Sequence, residues 1–164
     1  MMQIYQLCGD VLKLREWVKS HLQYDTGTGD LWLPIVLTAK GPLYAEVIGL
    51  KSGFSLNHIS PETGLVVEYD KTLIPYQQPI HLTDNIRQPL YYLGYQLLDY
   101  LLAPPSVYLI QFTIKEEKII FDRVFPFPHT PAIASIGVQE PDLFTCHYRC
   151  LQNKPILDLI IIEK

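Results

Sequence analysis

A chain of 164 residues with 48% hydrophobic and 18% charged residues is long enough to bury a sizeable core and too apolar to be disordered. Its net charge of -4 offers no general attraction for nucleic acid or anionic lipid. We therefore expect residues 1–164 to form a single globular domain without a nucleic-acid partner.

The first part of the chain predicts a helix followed by strands. Residues 10–23 carry apolar side chains at helical spacing, and Asp10 is suited to cap the first turn. Residues 24–30, with two glycines and two aspartates, are typical of a plain turn rather than a phosphate or calcium loop. Strands are expected at 31–38, where Pro34 favours a sheet edge or a bulge, and at 43–50.

The middle of the chain predicts one long helix after irregular segments. Residues 54–59 and 65–70 are short strand candidates, and the proline-containing residues 74–79 are expected to be extended without regular pairing. Residues 89–102 then predict a helix, because proline suits the first helical position.

A β-hairpin is expected directly after this helix, within residues 106–128. If Glu116 and Glu117 form the turn, Phe112 pairs with Phe121 and Ile110 pairs with Arg123. Because neither glutamate favours the positive φ of a tight turn, a longer or shifted loop is the alternative. Such pairing gives one mainly apolar face, and it places the Arg123 side chain on that buried face. A buried guanidinium needs a partner, and Glu46, Glu68 and Asp99 are candidates.

Two final strands are expected at 143–151 and 156–162. The predicted fold class is therefore α+β, with an antiparallel sheet of about six strands packed by an N-terminal helix and a central apolar helix.

Catalytic and metal-binding patterns are not evident in the sequence. On a strand, Cys146 and Cys150 would lie ~13 Å apart, too far to share a metal, so we predict neither a metal site nor a cofactor. The five histidines are expected on the surface or hydrogen-bonded in the core. Three cysteines, without a secretory leader or a membrane-length apolar run, favour a cytoplasmic protein that does not enter the membrane.

The central helix is apolar around most of its circumference and rich in tyrosine. Four tyrosines, suited to an interface, are its candidate contact residues: Tyr91, Tyr92, Tyr95 and Tyr100. A helix of this kind needs covering on all sides. The main hypothesis is thus a non-enzymatic binding or assembly protein, homodimeric through this helix or a sheet edge, or bound to another protein.

The alternative hypothesis is a small-molecule-binding protein or an enzyme. Its pocket would lie between the central helix and the sheet, where Arg123, Tyr95, Tyr108 and His81 would surround an anionic or aromatic ligand.

Overall fold

The computed structural model describes residues 2–63 and 74–162. The α-helices are Met2–Gly9 (α1), Val11–Trp17 (α2), Asp84–Tyr100 (α3) and Leu143–Leu151 (α4). The strands are Asp25–Thr26 (β1), Leu31–Thr38 (β2), Gly41–Tyr44 (β3), Val47–Leu50 (β4), Tyr76–Ile80 (β5), Ser106–Lys115 (β6), Lys118–Phe125 (β7), Gln139–Glu140 (β8) and Ile160–Ile161 (β9). The strand predicted at 65–70 lies outside the described residues.

A mixed, mostly antiparallel sheet organises the described part of the chain. Its strand order is β1-β7-β6-β2-β4-β5, with β3 also paired to β2, and β8 pairs separately with β9. The pairing of β1 with β7 is parallel, and the remaining pairs of this seven-stranded sheet are antiparallel. The prediction of an antiparallel sheet packed by helices is therefore correct in outline, and the parallel pair is the correction.

The N-terminal helices and α3 cover the first face of the sheet. Leu90, Leu93 and Leu97 of α3 are fully buried there. Gly94 allows the close approach, because a Cβ at this position would lie 2.5 Å from Cδ1 of Ile35. None of the described helices combines the length and apolar character needed to cross a bilayer.

The second face of the sheet carries a separate core. Trp32, Val36 and Leu109 are buried on this face against Leu143 and Cys146 of α4. A 3-10 segment, Thr130–Ser135, packs beside them. Because β2 and β6 supply side chains to both faces, the two cores share one sheet.

The single regular helix predicted over 10–23 is instead a short α-helix followed by a π-helical turn. The side chain of Asp10 caps α2 as expected, accepting a hydrogen bond from the Lys13 amide. The capped helix ends at Trp17 and continues as a wider π-helical turn, Val18–Leu22. The cap thus separates α2 from the additional helix α1.

The predicted strand at 43–50 is divided into β3 and β4, both paired with β2. Ile35 pairs with Tyr44 in β3, whereas Trp32 pairs with Ile48 in β4. Pro34, which lacks an amide hydrogen, lies at this change of partner. It therefore sits at an irregularity of a central strand rather than at a sheet edge.

Three further segments differ from the sequence predictions. A 3-10 turn, Leu56–His58, replaces the short strand at 54–59, and β5 replaces the irregular segment at 74–79. Helix α3 begins at Asp84 rather than Pro89, with Thr83 at its N-cap.

The segment 143–151 is a helix rather than a strand. The side chain of Asp142 accepts the Thr145 amide at 2.9 Å and so caps α4. Leu143, Cys146 and Cys150 are buried at helical spacing. Of the strand predicted at 156–162, only β9 is paired.

The hairpin follows the predicted register from its turn as far as Phe112, which pairs with Phe121. Glu116 and Glu117 both have positive φ and form the two-residue turn. Beyond Phe112 a β-bulge shifts the pairing, so that Arg123 lies opposite Gln111 instead of Ile110. The bulge moves Arg123 from the predicted buried face to the second face.

Candidate functional site

A polar row crosses the second face of the sheet. Trp32 of β2 pairs with Gln111 of β6, and Gln111 pairs with Arg123 of β7. Residues in register on neighbouring antiparallel strands project from the same face, so these three side chains are neighbours. The row places an indole, a carboxamide and a guanidinium in one site.

Asp122, the unpaired residue of the β7 bulge, anchors this row. Its Oδ1 accepts hydrogen bonds from Arg15 Nη2 at 2.6 Å and from Arg123 Nε at 3.2 Å. Its Oδ2 accepts the Gly29 amide at 2.8 Å. The carboxylate is therefore buried with three donors, and it orients the Arg123 guanidinium toward the second face.

The glycine-containing loop before β2 docks on the hairpin at the same place. The Gly27 amide donates to the Phe121 carbonyl, and the Gln111 side-chain nitrogen donates to the Gly29 carbonyl at 2.7 Å. A Cβ at Gly29 would lie 2.6 Å from the Phe112 backbone. Only glycine permits this approach, which brings Thr28 to the edge of the polar row.

Aromatic rings form the apolar walls beside the row. The ring of Tyr76 meets that of Trp32 edge-on, with centroids 5.4 Å apart. Phe125 stacks on His129 at 4.4 Å. Burial, reinforced by the nearby Arg123 charge, lowers the pKa of His129 below its ordinary value, so the imidazole is mainly neutral at pH 7.

Together these groups enclose a cavity of about 160 Å³ that opens to solvent. A volume of ~150 Å³ accommodates one benzene-sized ring. The cavity is lined by Thr28, Trp32, Leu56, Ile59, Ser60, Pro61, Tyr76, Gln111, Asp122, Arg123, Phe125, His129 and Pro131. It has the aromatic walls and few convergent polar groups that small-molecule sites share.

The polar groups of the cavity present both donors and an acceptor to a ligand. Among the described residues, the Nη atoms of Arg123 donate to no protein acceptor, and Oε1 of Gln111 receives no hydrogen bond. The two guanidiniums of Arg15 and Arg123 share the carboxylate of Asp122, and within residues 2–63 and 74–162 no second carboxylate pairs with either of them. The arrangement suits an anionic group beside a flat ring.

Of the residues predicted to surround a ligand, Arg123 alone lines this cavity. Tyr108 is fully buried on the opposite face, where its hydroxyl donates to the Pro104 carbonyl at 2.6 Å. Tyr95 is half exposed on α3, and His81 is exposed directly after β5. The structure does not bring these four side chains together, because core residues fill the space between α3 and the sheet.

Of the four tyrosines predicted to form an interface, two stack on other rings of this chain and the other two are exposed to solvent. Tyr91 stacks on Tyr44 at 4.3 Å, and Tyr100 stacks on Trp17 at 4.1 Å. Tyr92 is 60% exposed. Helix α3 is thus covered by the sheet on one side, and its outer rings either pack on neighbouring elements or reach water.

The sequence analysis missed the residues that build the cavity around Arg123. Gln111 and Trp32 carry no recognisable motif, and Asp122 was not among the carboxylates considered as partners of Arg123. The alternation of side chains along β6 and β7 could have identified them. It places Gln111 and Arg123 on one face once a bulge is introduced at Asp122. The 24–30 loop, interpreted as a plain turn, contributes Thr28 to the cavity edge.

Two buried thiols and a half-buried histidine lie in α4, which packs on the same face of the sheet as the site. Cys146 and Cys150 are one helical turn apart, roughly 6 Å along the axis, rather than the expected ~13 Å. Burial raises the pKa of Cys146 to about 12, which keeps the thiol protonated. Within residues 2–63 and 74–162, no three His, Cys, Asp or Glu side chains are grouped to hold a metal ion.

No family model matches the sequence, and no curated protein matches it either. Solved structures do resemble the fold. A glycinamide-RNase-transformylase T from Mycobacterium tuberculosis superposes with a TM-score of 0.74 at 15% identity, covering 98% of this chain and 53% of that one.

Two N5-carboxyaminoimidazole synthetases are also similar. The Staphylococcus aureus enzyme, complexed with ADP, has a TM-score of 0.59 at 9% identity and covers 84% of this chain and 33% of that one. The Aspergillus clavatus enzyme, complexed with ADP and 5-aminoimidazole ribonucleotide, has a TM-score of 0.55 at 14% identity and covers 82% and 32%. This chain therefore spans about half of the first structure and a third of the others.

The comparisons correct the main hypothesis. The fold is shared with a transformylase and with N5-carboxyaminoimidazole-forming enzymes, so the prediction of a non-enzymatic, homodimeric binding or assembly protein is wrong. The alternative, a small-molecule-binding protein or an enzyme, agrees better with this fold. The cavity that Arg123 lines is on the second face of the sheet, whereas the predicted pocket was between the central helix and the sheet.

Proposed function

We propose that this chain binds a small anionic heterocycle of the nucleotide class in the Arg123 cavity, as part of an enzyme that acts on such a compound. The single observation that carries the proposal is the row of Trp32, Gln111 and Arg123 across three strands. It combines an aromatic wall and a hydrogen-bond acceptor with a guanidinium whose Nη atoms donate to no acceptor in the described part of the chain.

The fold supports a nucleotide-class ligand over other aromatic anions. The similar synthetases were solved with ADP, and one of them also with 5-aminoimidazole ribonucleotide. A cavity of about 160 Å³ favours a single ring over a purine, with the rest of the ligand in the open mouth. Arg123 would pair with its phosphate, and Gln111 Oε1 would accept from an amino or hydroxyl group.

The first experiment measures binding by isothermal titration calorimetry, with 5-aminoimidazole ribonucleotide and ADP as ligands. We expect the single-ring nucleotide to bind more tightly. Arg123→Gln should weaken its affinity about tenfold to a hundredfold, because charge-assisted hydrogen bonds contribute ~1.5–3 kcal/mol.

Arg87→Gln is the matched control, since Arg87 is paired with Asp84 on α3, away from the cavity. This variant should retain wild-type affinity. Equal losses in both arginine variants, or no binding of either nucleotide by the wild-type protein, would contradict the proposal.

A further inference from the structure

Both carboxylate oxygens of Asp122 accept hydrogen bonds from groups of the protein. It is the only carboxylate among the described residues that line the cavity, and its side chain is 4% exposed. Arg15, Arg123 and the Gly29 amide donate to its two oxygens. A cation could reach Asp122 only by displacing Arg15, which would leave that guanidinium without a counter-charge and with only the backbone carbonyls of residues 27 and 122 as acceptors.

A divalent metal that accompanies a nucleotide phosphate needs carboxylates that are free to coordinate it. Mg²⁺ takes oxygen ligands in near-octahedral geometry, commonly one or two carboxylates together with phosphate oxygens. Here the guanidiniums of Arg15 and Arg123 flank the one carboxylate, and their charges oppose a cation. The cavity's other polar side chains offer only neutral ligands: the Gln111 carboxamide, the hydroxyls of Thr28, Ser60 and Tyr76, and the His129 imidazole. The described side chains thus do not fit a metal–phosphate complex.

We infer that the cavity binds its anionic ligand without a divalent metal, with Arg123 supplying the positive charge that Mg²⁺ would otherwise supply. This inference rests on the proposed function. Arg123 meets the requirement because Asp122 fixes its Nε. Its Nη atoms bond no described acceptor and form a planar fork that matches phosphate oxygens.

The test compares calorimetric titrations of the wild-type protein with 5-aminoimidazole ribonucleotide in excess EDTA and in excess Mg²⁺. We expect the affinity in EDTA to equal or exceed that in Mg²⁺, because the metal competes with Arg123 for the phosphate. Arg123→Gln should lower the affinity in EDTA about tenfold or more, whereas Arg87→Gln should not.

The possible failures are distinguishable. Binding that requires Mg²⁺ would overturn the metal-free inference and leave the proposed function standing. Binding in neither buffer would overturn the proposed function itself. A ligand-free measurement is independent of both: titration with Mn²⁺ should leave the NMR signals of the Gln111 side-chain amide unbroadened, and selective broadening of these signals would contradict the inference.

Discussion

At the scale of single residues, the candidate site depends on one buried carboxylate and one close backbone approach. Asp122 accepts donors from residues 107 and 93 positions away in sequence, Arg15 and Gly29. These contacts hold the bulge that turns Arg123 toward the cavity. Local sequence patterns do not encode partners at such separations, so the bulge and its consequences were not predictable from the hairpin alone.

Replacing Asp122 should destabilise the protein as well as the site. Asp122→Ala leaves the Gly29 amide without its acceptor. It also removes the counter-charge of Arg15, which keeps only the backbone carbonyls of residues 27 and 122 as acceptors, so we expect a loss of about 2–4 kcal/mol in the free energy of unfolding. Urea denaturation would measure it. Asp30→Ala is the control, since Asp30 makes only an exposed contact with Thr113, and a loss as large there would contradict the role given to Asp122.

Gly29→Ala tests the close approach of the loop to β6. The new Cβ would lie 2.6 Å from Phe112 backbone atoms, which cannot rotate away, so the loop must lift from the hairpin. We expect a loss of about 1–3 kcal/mol in thermal or urea unfolding, together with weaker ligand binding. At Gly9, where a Cβ would meet no atom within 4 Å, the matched Gly9→Ala should not destabilise the protein.

At the scale of elements, α4 is joined to β6 through a half-buried histidine, His147. Nδ1 of His147 accepts the Val107 amide at 3.3 Å and lies 3.1 Å from the Ser106 hydroxyl. An accepting Nδ1 requires a neutral imidazole with its proton on Nε2. Burial lowers the pKa of His147, which favours that neutral form.

This arrangement predicts acid sensitivity. Because the pKa of His147 is lower in the folded state than in the unfolded state, its contribution is complete above the ordinary value of ~6.5 and is lost as the pH falls below it. The pKa of His129 is also lowered in the folded state, so its contribution to stability is likewise lost as the pH falls. Urea unfolding across this range should therefore show a smaller pH dependence for His147→Asn, whose carboxamide oxygen can replace Nδ1 as acceptor. The exposed His81→Asn should retain the wild-type dependence, and an unchanged dependence in His147→Asn would contradict this role.

The elements differ in how far the sequence alone predicts them. The hairpin turn and the pairing of Phe112 with Phe121 follow from alternation and were predicted correctly. Helix α4 was taken for a strand, although Leu143, Cys146 and Cys150 recur at helical spacing after the capping residue Asp142. The β-branched and aromatic residues nearby favoured a strand, and tertiary packing decided otherwise. The cavity depends on that packing, so of its polar groups only Arg123 was recognised.

At the scale of the whole molecule, one sheet separates two apolar cores. Along β6, Leu109 is buried against α4 on the second face, and its neighbour Ile110 is buried against α3 on the first. Both cores depend on the same backbone pairing between β2 and β6. Separation of these strands would therefore expose the buried side chains of both cores. The described part of the chain should therefore unfold as one cooperative unit.

Paired truncations on the two faces of β6 test this coupling. Leu109→Ala and Ile110→Ala each remove a fully buried side chain, and each should lower the free energy of unfolding by about 2–5 kcal/mol. If the cores are coupled, each variant shifts one common calorimetric transition, with the van't Hoff enthalpy equal to the calorimetric enthalpy. A second transition moved by only one of the two substitutions would show that the faces unfold separately. Shared unfolding also implies that ligand bound on the second face stabilises α3 on the first, because binding to the folded state shifts the whole equilibrium.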